Sequence, residues 1–267
     1  ITGDTLPYLK DRFRRLFVPY LSWGIIGGVM AVGWFSLYPE GPAKAVAVFC
    51  NFRWLVNGLT FGNSPLWFLL SFFATYVLMH FIERIHYLHW VVLLFPAVGY
   101  WLFLHGNPLW FYLNNVFCGI FFFYLGKMWH HILDKLTKHQ ALLVSVLLSI
   151  GFVLANIYLH AEYEMKTNHW TGSFWNVLLI MPLSLLGISG VLLSLPMPRV
   201  PLINFIGEHS MVFFVMHNPI ILSYVHVCRL LGHSISKSIP DLIIILILSF
   251  TLCFVAVPFV ERVPWLS

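Results

Sequence analysis

The chain has 267 residues, of which 60% are hydrophobic and only 9% charged, with a formal net charge of +5 and a mean hydropathy of +0.84. Soluble domains carry roughly 25% charged residues, so most of this surface does not face water and its solvent is lipid. The basic residues form no groove or stripe, which argues against nucleic acid. Cys50, Cys118, Cys228 and Cys253 have neither C-x-x-C spacing nor a disulfide pattern.

The first residues, Ile1 to Tyr8, lack an initiating Met and a charged segment leading into an apolar one. They do not read as a secretory signal, and the numbering is expected to start inside a longer protein. A spanning helix rises about 1.5 Å per residue across a core of about 30 Å and so needs about 20 apolar residues. Eight stretches qualify, near 15–37, 66–83, 88–105, 109–129, 140–160, 174–195, 208–230 and 241–261. Backbone groups in hydrocarbon have no water to bond, and runs this continuous are helices rather than alternating barrel strands. Breakers separate them: Pro39-Glu40-Gly41-Pro42, Gly106-Asn107-Pro108, Pro196-Met197-Pro198 and Pro201. The stretch Ala43 to Leu59 is apolar but interrupted by Lys44, Arg53 and Asn57, and reads as a helix lying in the interface. The expected fold is an all-α transmembrane helix bundle of about eight spans forming one domain over 1–267.

With eight spans, one side holds Lys10, Arg12, Arg14, Arg15, Arg84, Lys127, Lys135, Lys138, Arg199 and Arg262. The other holds Lys44, Arg53, Lys166, Arg229 and Lys237. The positive-inside rule then puts both ends of the chain in the cytoplasm, with Trp67, Trp110, Trp170 and Trp175 near the outer interface.

Three groups of residues carry chemistry. Arg12 and Arg15 stand three apart at the cytoplasmic mouth of the first span, where a shared helix face lets two guanidiniums clamp phosphates or touch anionic lipid. Ser210 and His217 are seven apart on one face of a later span. His217 lies near mid-depth, where an ionisable group faces a cavity or a partner, or bonds a neighbouring helix carbonyl. Pro219 disturbs the turn around Val215, because it has no N–H to give. Asn114 and Asn115 sit inside the outer end of the fourth span, where amides bond a sugar hydroxyl or another helix. Other patterns fall short. His130-His131-Ile132-Leu133-Asp134 misses the histidine-acid acyltransferase spacing by one residue and lies in a basic loop. Gly187-Ile188-Ser189-Gly190 is not G-x-S-x-G and fits small-residue helix packing. His80, Glu83 and Arg84 form a charge cluster at a helix end. The 13 histidines show no zinc spacing, so no metal site is expected.

Four segments in order resemble the acyltransferase-3 family of bacterial membrane O-acyltransferases, especially its fucose 4-O-acetylase-like branch. Arg12-Phe13-Arg14-Arg15-Leu16-Phe17-Val18-Pro19-Tyr20 is similar to the family's R-x-x-R-L-x-x-P-Y. Pro65-Leu66-Trp67-Phe68-Leu69 is similar to its L-W-F-L. Leu113-Asn114-Asn115, with Phe121 to Gly126, resembles its F-F-x-x-G segment. Gly207 to Ser210 and on to His217 resembles G-x-x-S-x-x-x-Y-x-x-H, with Phe214 at the tyrosine position. The family has ten helices. The first two, including a helix bearing an Arg and the His usually assigned as base, have no counterpart here, so the resemblance implies an N-terminally incomplete domain.

The resemblance implies transfer of an acetyl or other short acyl group from acyl-CoA, a substrate rather than a bound cofactor, to a hydroxyl of an envelope polysaccharide or other sugar. It implies donor binding by Arg12 and Arg15, a catalytic His217, and acceptor binding or a structural role for Trp67, Asn114, Asn115 and Ser210. It places the protein in the bacterial inner membrane. A glycan or lipid-linked sugar carrier, or a non-catalytic membrane fragment, are the other readings. Glu208 is the one acid near a span interior that is suited to ion coupling, which counts against a carrier.

Overall fold

The computed structural model describes residues 5–38, 41–50, 62–85, 88–106, 113–194, 200–233 and 239–266. Arg53, Asn57, Trp110, Arg199 and Lys237 lie outside them. The chain groups into two compact units, one of residues 1–73 with 199–267 and one of residues 74–198. Seven helices are long and apolar enough to cross a membrane, and the protein is an all-α polytopic helix bundle.

The first unit opens with α1 (Thr5–Arg12) and α2 (Val18–Ser36), joined by a π-helical stretch, Phe13–Phe17, into one helical run. The widening has a local cause. Pro19 has no N–H for the carbonyl of Arg15 and its ring crowds that carbonyl, so a longer-range bond, Val18 N–H to Phe13 O, closes the turn instead. α3 (Gly41–Cys50) packs back on α2 within the segment read as an interfacial helix. A 3-10 turn, Ser64–Leu66, leads into α4 (Trp67–Ile82), which continues into the second unit.

In the second unit a helical turn (Leu88–Val91) and a 3-10 turn (Val92–Leu94) precede α5 (Phe95–Leu104). α6 (Leu113–Leu133), α7 (Lys138–Leu159), β1 (Glu162–Glu164), β2 (His169–Thr171) and α8 (Phe174–Ser194) follow. The chain then returns to the first unit as α9 (Pro201–Glu208), α10 (Ser210–Leu230) and α11 (Ile239–Val260).

The stretch expected to form a third span, 88–105, is helical over a shorter length than the others. Its apolar helix covers only Val92–Leu104, shorter than the seven others. Pro96 removes the donor for the carbonyl of Val92, and the backbone tightens to 3-10 geometry ahead of it. The 3-residue strands of the β1–β2 hairpin carry too short an alternation to be read from sequence.

Burial follows the logic of lipid. Leu143, Leu147, Ile150, Leu154 and Ile157 form an exposed stripe at three- and four-residue steps on α7, a face that water would not tolerate. The opposite face meets α8 through small residues. A Cβ on Gly187 would stand 2.7 Å from the backbone N of Ser149, and one on Gly190 2.1 Å from Ser145 Oγ. This is the packing expected of the Gly187–Gly190 segment.

Candidate functional site

In the first unit, Pro219 breaks α10's ladder at the carbonyl of Val215, and Asn63 repairs it. Asn63 is fully buried and donates Nδ2–H to Val215 O over 2.7 Å. Asn218 donates to Gly62 O at 3.4 Å. Gly62 has φ +74°, and a Cβ there would lie 2.2 Å from Gly27 O of α2. Only glycine fits a turn pressed this closely on a helix backbone. The Gly62–Trp67 turn is thereby fastened to both α2 and α10. Trp67 stands half-buried at the start of α4, its ring edge-on to Phe68, and Phe68 packs 5.7 Å from Phe214.

His217 lies about 11 Å along the axis from Ser210, near the middle of α10. Its Nδ1 is 3.0 Å from Phe213 O, a carbonyl of its own helix. A carbonyl only accepts, so Nδ1 carries the proton and Nε2 of the neutral ring keeps its lone pair. Among the described residues no protein group bonds Nε2. His217 is half-buried, whereas Ser210 is exposed at the helix start, so the shared face does not bring them into one environment.

The two arginines also part company. Arg12 is half-buried with its guanidinium 5.3 Å over the Tyr8 ring. Arg15 has a side chain 70% exposed, with Nε–H donating to Asp11 Oδ1 at 2.8 Å. A π-helical turn, Phe13–Phe17, follows Arg12 and includes Arg15, so the spacing between them is not that of a regular α-helix.

Sequence reading missed His209 and Glu261. His209 Nδ1–H donates to Glu261 Oε1 at 2.5 Å and ties the start of α10 to the end of α11. Nearby in sequence, Leu266 O accepts from Trp23 Nε1 at 3.0 Å. No periodicity announces a pair 52 positions apart.

In the second unit Asn115 is buried and donates to Lys166 O at 3.1 Å, holding the hairpin. This is the packing role rather than an open amide. Asn114, beside it, is half-buried. Asn168 completes the lock. Its Nδ2 donates to Gly99 O at 2.9 Å, and its Oδ1 accepts from Trp170 Nε1 and the Tyr163 hydroxyl. Burial first, and then the Cys118 thiol, push the Tyr163 pKa upward, so its phenol stays a neutral donor. Glu83 pairs with Lys127 of α6 at 2.7 Å, a partner outside the cluster of His80, Glu83 and Arg84 read from the sequence. His130 and Asp134 are exposed and 3.7 Å apart, but His130 stands in the last turn of α6 rather than in the loop expected of it.

A family model described as an acyltransferase domain, that of the acyltransferase-3 family, matches residues 2–257. No curated protein and no solved structure matches the chain. The match spans nearly every residue that the sequence motifs and the geometry above bring into play, from Arg12 to Cys253. The chain belongs to the acyltransferase-3 family and is a membrane acyltransferase acting on groups other than aminoacyl.

Proposed function

We propose that this enzyme moves an acetyl or other short acyl group from a cytoplasmic acyl-CoA to a hydroxyl of an envelope sugar, as its likeness to the fucose 4-O-acetylase-like branch implies. The observation that supports it best is the state of His217: Nδ1–H is held by the Phe213 carbonyl and Nε2 is left as a base at mid-depth of a membrane helix. The acceptor oxygen attacks the thioester carbonyl carbon and its proton passes to His217 Nε2. The C–S bond breaks as the tetrahedral centre collapses, and the CoA thiolate leaves and takes that proton from His217 Nε2, which returns the imidazole to its starting state. The Phe213 carbonyl stabilises the imidazolium by keeping its bond to Nδ1–H.

Arg12 and Arg15 hold the phosphates of the donor at the cytoplasmic mouth. Trp67 and Ser210 in the first unit, and separately Asn114 in the second, are the candidates for acceptor binding or a structural role, and Asn115 fixes the hairpin through the Lys166 carbonyl. Both ends of the chain lie in the cytoplasm of a bacterial inner membrane. The test uses the longest form that the gene encodes, reconstituted with labelled acetyl-CoA and envelope polysaccharide from its host. Label should enter the polysaccharide and be lost in His217→Asn. Sugar movement across the membrane with no incorporation would favour a carrier instead.

A further inference from the structure

α2 and α10 pack side by side within the first unit, and their far ends hold a second cluster that the acyl-transfer chemistry does not use. The Trp34 indole stacks on the His226 imidazole, with centroids 5.1 Å apart and planes 19° from parallel. The Tyr38 hydroxyl lies 2.9 Å from His226 Nδ1, and the Arg229 guanidinium stands 5.9 Å over the Tyr38 ring. Trp34 and Tyr38 are four apart at the end of α2, and His226 and Arg229 three apart on α10, so each pair shares a face. The three rings are half-buried and Arg229 is exposed.

Two polar groups here lack a hydrogen-bond partner among the described residues. Tyr38 occupies Nδ1 of His226, and no described residue bonds Nε2. No carboxylate among the described residues pairs with Arg229. An isolated interfacial anchor needs a ring and a cation, but not an imidazole clamped between an indole face and a phenol. Preorganised ring faces beside a guanidinium that no described carboxylate pairs match a pyranose that bears a carboxylate or phosphate: the rings take its apolar face and Arg229 its anion. Tyr38 lies 26 residues from Arg12, roughly 35–40 Å along the helical run, more than the hydrocarbon thickness of about 30 Å. The cluster is therefore on the membrane face opposite the donor arginines.

We propose that Trp34, Tyr38, His226 and Arg229 form a recognition platform for an anionic glycan on the extracytoplasmic face. As the acceptor-side subsite it rests on the acyl-transfer reading, but glycan binding itself does not require that reading. The test is a titration without acyl-CoA, with the longest form that the gene encodes in nanodiscs of zwitterionic phosphatidylcholine. Trigalacturonate and trisialic acid are the acidic probes and galactotriose the neutral one, read by tryptophan fluorescence. At least one acidic trimer should bind saturably and more tightly than galactotriose, with affinity falling as salt rises. Arg229→Gln, at an exposed position, should weaken it roughly tenfold or more, as expected for losing a charged hydrogen bond. Trp34→Leu should weaken it similarly, and Arg229→Lys should restore part. No binding by either acidic trimer, or binding indifferent to both substitutions, overturns the proposal. So does an Arg229→Gln effect confined to discs containing phosphatidylglycerol, which would assign the cluster to lipid headgroups. Acyl transfer measured separately tells the two readings apart: binding without transfer removes the enzyme mechanism alone, and transfer without binding removes the platform alone.

Discussion

Asn63 donates its side-chain amide to the carbonyl of Val215, 2.7 Å away, the same carbonyl that Pro219 leaves without a helical partner. The bond is wholly buried, and no water competes for it in a lipid-facing bundle. Asn63→Leu strands the carbonyl and should cost about 1–3 kcal/mol, seen as a lower thermal midpoint in detergent. The mechanism makes a sharper claim through a double-mutant cycle. Pro219→Ala restores a backbone N–H four residues after Val215, so in that background Asn63→Leu should cost much less. Equal costs in both backgrounds would mean that Asn63 matters for something other than this carbonyl.

That pair also marks how far sequence carried the reading. Pro219 announces an orphan at Val215 because the rule is local, but nothing in the sequence names Asn63, 152 positions away, as its substitute donor. The long spans were legible because hydrocarbon thickness fixes their length, and the ends of α4, α7 and α10 fall within about two residues of expectation. The third stretch keeps only a shorter apolar helix, Val92–Leu104, because Pro96 tightens its start, a local effect that average hydropathy does not see. Arg12 and Arg15 were assigned a common face on regular 3.6-residue geometry, which the π-helical turn before Pro19 breaks. Of the paired amides, Asn115 takes its packing role through Lys166, which became visible only with the hairpin in place.

His217→Asn separates chemistry from folding. Asparagine keeps an N–H donor on a side chain able to reach back to the Phe213 carbonyl, so the thermal midpoint should stay close to that of the parent. It has no basic nitrogen, so transfer of label from acetyl-CoA should fall by about 10²–10⁴-fold, the usual contribution of a general base. Unchanged turnover with an unchanged midpoint removes the role.

Arg15 should act on the donor rather than on stability. Its bond to Asp11 is an exposed helix pair with side chains 70% and 44% exposed, and such pairs contribute about 0–1 kcal/mol before salt screening. Arg15→Gln should therefore leave the thermal midpoint within error but raise KM for acyl-CoA with little change in kcat. Asp11→Asn, which releases the guanidinium, should leave KM equal or lower. A fall in kcat at constant KM would place Arg15 outside the donor site.

The α7–α8 seam gives the strictest steric prediction. A Cβ on Gly187 would meet the backbone N of Ser149 at 2.7 Å, and a backbone atom cannot swing aside as a side chain does. Gly187→Ala should therefore push the helices apart at a cost of about 1–3 kcal/mol, the range for overpacking a close contact. At Gly190 the first obstacle is Ser145 Oγ at 2.1 Å, followed by Ser145 Cβ at 2.8 Å. Ser145→Gly removes both atoms, so it should relieve much of the loss caused by Gly190→Ala, although the Trp129 ring at 3.0 Å remains. Gly126→Ala is the control. Nothing lies within 4 Å of its Cβ, and in a helix interior alanine is favoured over glycine by about 0.5–1 kcal/mol, so its thermal midpoint should rise. If Gly126→Ala and Gly187→Ala shift the midpoint alike, helix propensity rather than close approach governs the seam.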